Sequence, residues 1–175
     1  MKESANLNNV ALENILNRKS VRRYTEESIP EEMLIALVRA AMAAPSAKNL
    51  RPVEFIISTE RDFLDKMGEA LPYAKMLKHS QQAIIICGRK DINPNLWMLD
   101  ASASTENLLL AAESLEFGAV WTALYPYEQR MEVISNLYDL PENVVPFAVV
   151  PVGFPLTDSL PKDKFDESKI HMNKW

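Results

Sequence analysis

The sequence predicts a layered α+β or α/β fold, because helical and strand patterns alternate along the chain and hairpin signals are scarce. A length of 175 residues is enough for one domain with a sizeable core. Hydrophobic residues make up 47% and charged residues 25%, which is an ordinary globular composition. We therefore expect a single domain over residues 1–175, without an internal repeat, linker or low-complexity segment.

Two helical patterns come first. The shorter one ends near Arg18 and carries on one face Val10, Ile15 and Leu16. The second is SIPEEMLIALVRAAMAA, in which Ser28 and Glu31 form a capping-box pair and Pro30 falls in the first turn. Its apolar stripe consists of Met33, Leu34, Leu37, Val38 and Ala41. Pro45 ends this helix.

Four apolar stretches have the length and composition of β-strands. They are VEFIIS (53–58), AIIICG (83–88), AVWTALY (119–125) and PFAVVPVGF (146–154). The second is apolar throughout, which is typical of a strand buried on both faces, and Pro151 in the fourth indicates an edge or a bulge. Helices are predicted at about 60–70, 97–118 and 128–137, with Gly118 as the C-cap of the longest.

The longest helix and the end of the chain both favour contact with a neighbour. Apolar and small residues occur nearly all round the helix at 97–118, which suits a central helix or one shared with a second subunit. Residues 155–175 have little periodicity yet contain Ile170 and Trp175, which a disordered tail would rarely keep. We expect this tail to be extended and docked on a neighbour.

Charge and composition disfavour several classes of protein. The formal net charge of -5 argues against nucleic-acid binding as the main role. No apolar run approaches the roughly 18 residues that span a bilayer, and the first ten residues lack the apolar core of a secretory signal. The single cysteine, Cys87, rules out an internal disulfide. We expect a cytoplasmic protein without a membrane or nucleic-acid partner.

Metal centres and glycine-rich phosphate loops are also disfavoured. Neither His79 nor His171 lies in a cluster with metal-ligand spacing, so both are interpreted as ordinary histidines and no metal is expected. The four glycines cannot form GxGxxG or a P-loop. If the protein binds a phosphate, side-chain cations must contribute much of the binding.

Three polar segments are candidates for such a site. Residues 17–30 (NRKSVRRYTEESIP) contain four cations around Ser20, namely Arg18, Lys19, Arg22 and Arg23. Taken alone, this cluster is most simply a solvated helix end, where the helix dipole favours cations. Residues 44–52 (APSAKNLRP) form a polar connection between a helix and a buried strand. Lys162 and Lys164 alternate in a late segment, so an extended backbone would point both side chains the same way.

Together these segments resemble the nitroreductase family of FMN-dependent oxidoreductases. RKSVRRY is similar to that family's Arg-x-Ser-x-Arg flavin-phosphate motif, and APSAKNLRPVEFI to its Ala-Pro-Ser…Asn…Pro flavin-ring loop. TENLLLAAESLEFGAVWTALYP resembles its central helix and the following strand, and PKDKFDESKIHMNKW its closing segment. The resemblance runs from about Leu12 to Trp175. It implies an α+β fold of three α/β/α layers, with a mixed central sheet and a domain-swapped C-terminal tail.

The resemblance also implies which residues bind FMN. The phosphate and ribityl chain would be held by Arg18, Lys19, Ser20 and Arg22, joined at the phosphate by Lys162 and Lys164. The isoalloxazine ring would be lined by Pro45, Ser46, Ala47 and Asn49. Backbone N–H groups would face flavin N5 and O4 from Leu124 and Tyr125. In the family this site lies at a homodimer interface, and both chains contribute to each flavin.

The implied activity is that of an NAD(P)H-dependent FMN oxidoreductase that reduces nitroaromatics, quinones or related acceptors by a ping-pong mechanism. FMN carries out the electron transfers, so no catalytic side chain is expected. Two alternatives stay open: a specialised flavin enzyme for dehalogenation or ring oxidation, and a non-catalytic flavin-binding protein. Arg51 and Val53 stand where the family often has Gln and an aromatic residue, and Ala123 where it often has Gly. These positions border the pocket and bear on acceptor preference.

Overall fold

The structure is a computed structural model that describes residues 9–175. Its helices are α1 (Val10–Asn17), α2 (Glu31–Met42), α3 (Arg61–Ala70), α4 (Trp97–Ser114) and α5 (Glu128–Leu137). Its strands are β1 (Val53–Ser58), β2 (Gln82–Arg89), β3 (Gly118–Ala119), β4 (Thr122–Ala123) and β5 (Val144–Gly153). Short 3₁₀ turns occur at Ala47–Asn49, Lys75–Lys78 and Glu167–Lys169. This alternation of helices and strands confirms the predicted α+β class.

One sheet with the order β1-β2-β5-β3 forms the middle of the molecule, and β4 also pairs with β5. Each of these pairings is antiparallel, so residues 9–175 contain no parallel pair of the kind that a mixed sheet requires. The fourth predicted strand, β5, lies inside the sheet between β2 and the short strands. An edge position for this strand, one of the two options indicated by its proline, is therefore wrong.

The prolines and a bulge in β5 nevertheless disturb its surroundings. The stretch 119–125, predicted as one strand, is divided into β3 and β4, and the interruption at Val120 lies opposite Pro151 in the register. Proline has no N–H to donate to a ladder, which accounts for the break. The register with β2 shifts between Ile86 and Cys87, and this bulge leaves Phe147 without a partner in β2.

Helices cover both faces of the sheet, which gives the three expected layers. On one face Ile84 and Ile86 of β2 pack with buried residues of α2 and α4. On the other face Ile85 and Cys87 pack with buried residues of α3 and α5. Strand β2 is thus buried on both sides, as its unbroken apolar run predicted. Burial raises the pKa of the Cys87 thiol to about 12, so this side chain packs as a neutral group.

Two predicted helix caps are wrong, although the helices themselves are confirmed. Pro30 directly precedes α2, and no side chain caps that end, so the Ser28–Glu31 capping box does not form. Helix α4 ends at Ser114, and Glu116 adopts the left-handed conformation (φ 61°) that was expected of Gly118. The Schellman bond that follows runs from the Phe117 N–H to a carbonyl in the last turn at 2.8 Å.

Large apolar side chains are exposed in two parts of the single chain. Helix α1 buries none of its residues, and Val10 and Leu16 are 82% and 72% exposed. Beyond β5 the chain is mostly irregular, and its exposed apolar residues include Leu160, Phe165 and the fully exposed Trp175. None of the helices in residues 9–175 combines the length and the hydropathy that crossing a bilayer requires.

Candidate functional site

The segment that follows α1 is fixed against the ends of β3 and β5. The N–H of Val21 donates to a carbonyl of β3 at 2.9 Å, and the N–H of Thr25 donates to the residue after β5 at 2.9 Å. Between them Tyr24 is buried, and its hydroxyl donates to the carbonyl of Val21 at 2.6 Å. These bonds hold the backbone of Arg22 and Arg23 while leaving both side chains exposed.

Gly118 makes room for this segment. A Cβ at Gly118 would lie 2.6 Å from Cγ1 of Val21, closer than real side chains approach.

We expect Gly118→Ala to lower the free energy of unfolding by about 1–3 kcal/mol, because the overpacked site must shift Val21. Urea unfolding measures this loss. Gly68→Ala is the control, since its Cβ would first meet the flexible side chain of Lys78. Equal losses in both variants would contradict the role of Gly118.

The cations of the motif do not share one environment. Arg18 Nε lies 3.5 Å from Glu106, and Lys19 Nζ lies 2.7 Å from Glu113, with both carboxylates on α4. Within residues 9–175, Arg22 has no carboxylate at ion-pair distance. A bound anion would therefore meet an uncompensated charge at Arg22, and it would have to compete with α4 for the other two cations.

Arg22 lines a cavity of about 450 Å³ that we name the Arg22 cavity. Two further cations, Lys75 and Arg130, line it together with the aromatic side chain of Trp121. The remaining lining residues are Tyr73, Met76, Val120, Thr122 and Ala123. Sequence reasoning missed Lys75 and Arg130, because they reach the cavity from the 3₁₀ turn before β2 and from α5, and no local motif marks them.

Leu124 and Tyr125 border this region without a free N–H group. Their N–H groups donate to the carbonyl of Phe147 at 3.0 and 3.1 Å. The Leu124 side chain is fully buried, and the Tyr125 ring packs edge-on against Trp97. The bulge in β5 supplies the acceptor for both bonds, so the N–H groups expected to face a flavin are occupied in this fold.

The polar connection after α2 has an unusual backbone. Lys48, Asn49 and Arg51 have φ values of 54°, 56° and 52°, in the left-handed region. Each such residue costs of order 1–3 kcal/mol, and strain of this kind clusters at functional sites. Ser46 Oγ accepts from the Arg51 N–H at 3.0 Å, and Asn49 Oδ1 accepts from Arg51 Nε at 2.9 Å. The Ser46 hydroxyl hydrogen and the Asn49 amide N–H groups remain donors for a ligand.

A buried carboxylate anchors this connection to α4. Asp100 Oδ1 accepts the N–H of Ala47 at 2.9 Å, and Asp100 Oδ2 accepts a side-chain N–H of Asn93 at 3.0 Å. Sequence reasoning missed Asp100, because its partners lie 53 and 7 residues away and no motif connects them.

We expect Asp100→Ala to lower the free energy of unfolding by at least about 1.5–3 kcal/mol, the range for a lost hydrogen bond to a charged group. Chemical denaturation measures the loss. The control is Asp62→Ala, which removes an exposed carboxylate whose ion-pair partner among residues 9–175 is Lys66 on α3. If both variants lost the same amount, Asp100 would not be an anchor.

Pro45 and Ser46 line a second cavity of about 300 Å³, which we name the loop cavity. Ser104 of α4 lies on its wall. Arg51 and Val53 also line it, as expected from their place in the sequence. The other lining residues are Met42, Ala44 and Phe55.

Helix α4 separates the loop cavity from the cations of the motif. Asp100, which anchors the loop, and Glu113, which pairs with Lys19, are about 20 Å apart along the helix axis. Because an α-helix turns by about 100° per residue, the two side chains also point in directions about 140° apart around that axis. Within one chain the two sets of predicted flavin-binding residues therefore form two half-sites.

Lys162 and Lys164 are exposed and have no ion-pair partner among residues 9–175. Residues 159–161, just before them, line a cavity of about 490 Å³ that also includes Lys19. The structure thus brings the start of the tail to the motif, whereas the two lysines themselves lie beyond that cavity. In the same described range, no cluster of three or more His, Cys, Asp or Glu could hold a metal ion.

Known proteins resemble this chain over nearly its whole length. A family model described as the nitroreductase family matches residues 15–85 and 69–154. A solved structure from Bacteroides thetaiotaomicron, provisionally named NADH dehydrogenase/NAD(P)H nitroreductase, is 51% identical, covers 95% of this chain and 99% of that one, and has a TM-score of 0.94. A relative of the same name from Methanothermobacter thermautotrophicus is 43% identical over 94% of this chain and 87% of its own length. An FMN reductase (NADPH) from Bacillus subtilis is 21% identical over 93% and 73%.

Proposed function

Because the chain belongs to the nitroreductase family, we propose that it is an FMN-dependent oxidoreductase that takes electrons from NAD(P)H. Its acceptors are nitroaromatics, quinones or related compounds. The observation that carries this proposal is the Arg22 cavity, where an acidic protein of net charge -5 gathers three cations beside an aromatic side chain. Such a cavity suits a planar, anionic ligand, and its cations would stabilise negative charge that develops during reduction.

FMN, when bound, supplies the hydride and electron transfers. The side chains of this protein bind and orient it, and we expect both substrates to use the same cavity in turn, which gives ping-pong kinetics. Lys75 and Arg130, the other cations of this cavity, would stabilise negative charge on the ring, while Arg22 is assigned to the phosphate. The Ser46 hydroxyl and the Asn49 amide would fix the ring by donating hydrogen bonds.

We propose that the phosphate and ribityl chain of FMN are bound by the residues expected from the sequence. The structure suggests how much each of them contributes to binding. Arg22 comes first, since it is not neutralised within the described residues. Arg18 and Lys19 contribute less, because FMN can bind them only if they give up their ion pairs with carboxylates of α4. Ser20 is exposed beside them and offers a hydroxyl. The exposed tail lysines, Lys162 and Lys164, join from outside the core.

We also propose that residues 1–175 form one domain that works as a homodimer. The two half-sites lie on different sides of α4, so a second chain could bring its loop, Pro45 to Asn49, to the Arg22 cavity of the first. The exposed apolar side chains of α1 and of the tail would be buried against the partner chain. Leu99 of α4 is also exposed and would add to this interface. An obligate interface of this kind buries above about 2,000 Å² in total. We place this dimer in the cytoplasm, with the tail exchanged between chains.

Anaerobic titration of the purified protein tests the function. We expect a yellow protein whose visible absorbance is bleached by NADH or NADPH and restored by a quinone or a nitroaromatic compound. A protein that stays yellow with both nucleotides would be a flavin carrier. Bleaching that neither acceptor reverses would favour a specialised flavin enzyme. A colourless protein that cannot be reconstituted with FMN would contradict the proposal.

A further inference from the structure

A fourth cavity, of about 640 Å³, adjoins the fixed segment after α1, and of its lining residues only Arg22 has a role in the site proposed so far. We name it the basic cavity, because four cations line it: Arg22, Arg23, Arg61 and Lys78. His79 also lines it, and Glu26 is the one carboxylate in its lining. The neutral lining residues are Tyr24, Gln81 and Leu156. Although the chain has a net charge of -5, the lining of this cavity is positively charged and therefore attracts anions.

The cations of the basic cavity differ in how they are held. Arg61 is fixed, because its guanidinium donates to the carbonyl of Ser80 at 2.7 Å and also to that of Leu77, and it pairs with Asp65 at 3.1 Å. Lys78 Nζ lies 3.2 Å from an exposed glutamate of α3. These two side chains therefore lie at fixed places in the lining, and the neighbouring carboxylates partly neutralise their positive charge.

Of the other two cations, Arg22 is assigned to FMN, and Arg23 is available to a second ligand. Like Arg22, Arg23 has no carboxylate at ion-pair distance within residues 9–175. The backbone beneath them is held on both sides, since the N–H of Leu156 donates to the Arg23 carbonyl at 2.9 Å. An arginine on a fixed backbone, with Lys78 in the same lining, suits a phosphate monoester, which accepts paired hydrogen bonds from a guanidinium group.

Arg22 lines both the Arg22 cavity and the basic cavity, so the two cavities adjoin. We propose that the basic cavity binds the 2′-phosphate of NADPH, and that the protein therefore prefers NADPH to NADH. This inference rests on the proposed function, because the nicotinamide of the same nucleotide must reach the flavin from the Arg22 cavity. The volume of the basic cavity lies within the range of about 300–1,000 Å³ usual for small-molecule sites.

The first test compares the two nucleotides on the FMN-loaded enzyme. Arg23→Ala and Lys78→Ala should each raise KM for NADPH about tenfold more than KM for NADH, the lower end of what a lost charge-assisted hydrogen bond costs. Lys66→Ala is the control, an exposed lysine on α3 that pairs with Asp62 and does not line the cavity. Equal changes for both nucleotides, or a wild-type enzyme without preference for NADPH, would overturn the inference.

A second test does not depend on turnover and separates this inference from the proposed function. Adenosine 2′,5′-bisphosphate should bind the FMN-loaded protein at least about tenfold more tightly than adenosine 5′-monophosphate in calorimetry, and Arg23→Ala should abolish the difference. Equal binding of the two probes would overturn the inference even if the enzyme turns over. If Arg23→Ala instead weakened FMN binding by the same factor, the cavity would hold the flavin phosphate, and the inference would be wrong.

Discussion

Arg22→Ala is expected to weaken FMN binding by about ten- to a hundredfold, the equivalent of about 1.5–3 kcal/mol for a lost charge-assisted hydrogen bond. The expectation follows from the geometry, since Arg22 lines the Arg22 cavity and is not paired with a carboxylate in the described residues. Fluorescence titration of the apoprotein with FMN measures the change. Arg18→Ala should act in the same direction, reduced by the existing pair with Glu106. Lys162→Ala or Lys164→Ala should have a smaller effect.

Arg23→Ala is the matched control for FMN binding. Arg23 is the neighbouring exposed arginine and does not line the Arg22 cavity, so FMN affinity should hardly change. Riboflavin provides the second control, because it lacks the phosphate. It should bind poorly to the wild-type protein and respond little to Arg22→Ala. A loss of riboflavin binding equal to the loss of FMN binding would show that the cations stabilise the fold and do not bind the phosphate.

Deletion of residues 155–175 is expected to abolish the dimer and tight FMN binding together. In one chain Phe165, Ile170, Met172 and Trp175 are exposed, and burying each on a partner would stabilise the dimer by about 1.5–3 kcal/mol. The deletion also removes both tail lysines. Sedimentation measures the mass of the assembly, and titration with FMN measures the affinity of the flavin site. A wild-type mass near 19.8 kDa at micromolar concentration would contradict the proposed homodimer.

Trp175→Ala refines this experiment without removing the backbone. Buried aromatic side chains are common hot spots of interfaces, so the substitution should weaken association by at least about 2 kcal/mol, or roughly thirtyfold. Lys174→Ala is the matched control, since it alters the neighbouring exposed residue without removing an aromatic ring. Comparable losses in the two variants would mean that Trp175 is not an anchor of the interface.

Most elements of the fold were predictable because their signals are local. The periodicity of α2 correctly placed Leu34, Leu37, Val38 and Ala41 in the core. Met33, the fifth residue of the predicted stripe, is 36% exposed. The errors come from interactions between distant segments. The single strand predicted at 119–125 is broken opposite a proline about 30 residues away in β5, and nothing in its own sequence marks the break.

The cap of α4 shows a different limit of sequence reasoning. Gly118 was the expected cap because glycine tolerates a left-handed backbone, yet Glu116 adopts that conformation. The glycine is used instead for close packing against Val21, on a segment almost 100 residues earlier in the chain. Both uses favour glycine, and only the packing of the segment after α1 against β3 distinguishes them.

The candidate site was predictable where a motif is contiguous. The cations of residues 17–23 and the loop at 44–52 were identified from short patterns of residue types. Lys75, Arg130 and Asp100 were not, since each reaches the site from an element whose position depends on the whole fold. The N–H groups of Leu124 and Tyr125 were assigned from their order along the chain, but the bulge at Phe147 supplies their acceptor.

The central claim is that each flavin site combines the Arg22 cavity of one chain with the loop of another. The most direct test is FMN binding by a mixed dimer of an Arg22→Ala chain and a Ser46→Trp chain, whose new side chain would fill the loop cavity. Each variant alone should bind FMN weakly. In the mixed dimer one site carries both changes and the other carries neither, so we predict one tightly bound FMN per dimer. If every site lay within a single chain, the mixed dimer would bind none tightly, and that result would contradict the account.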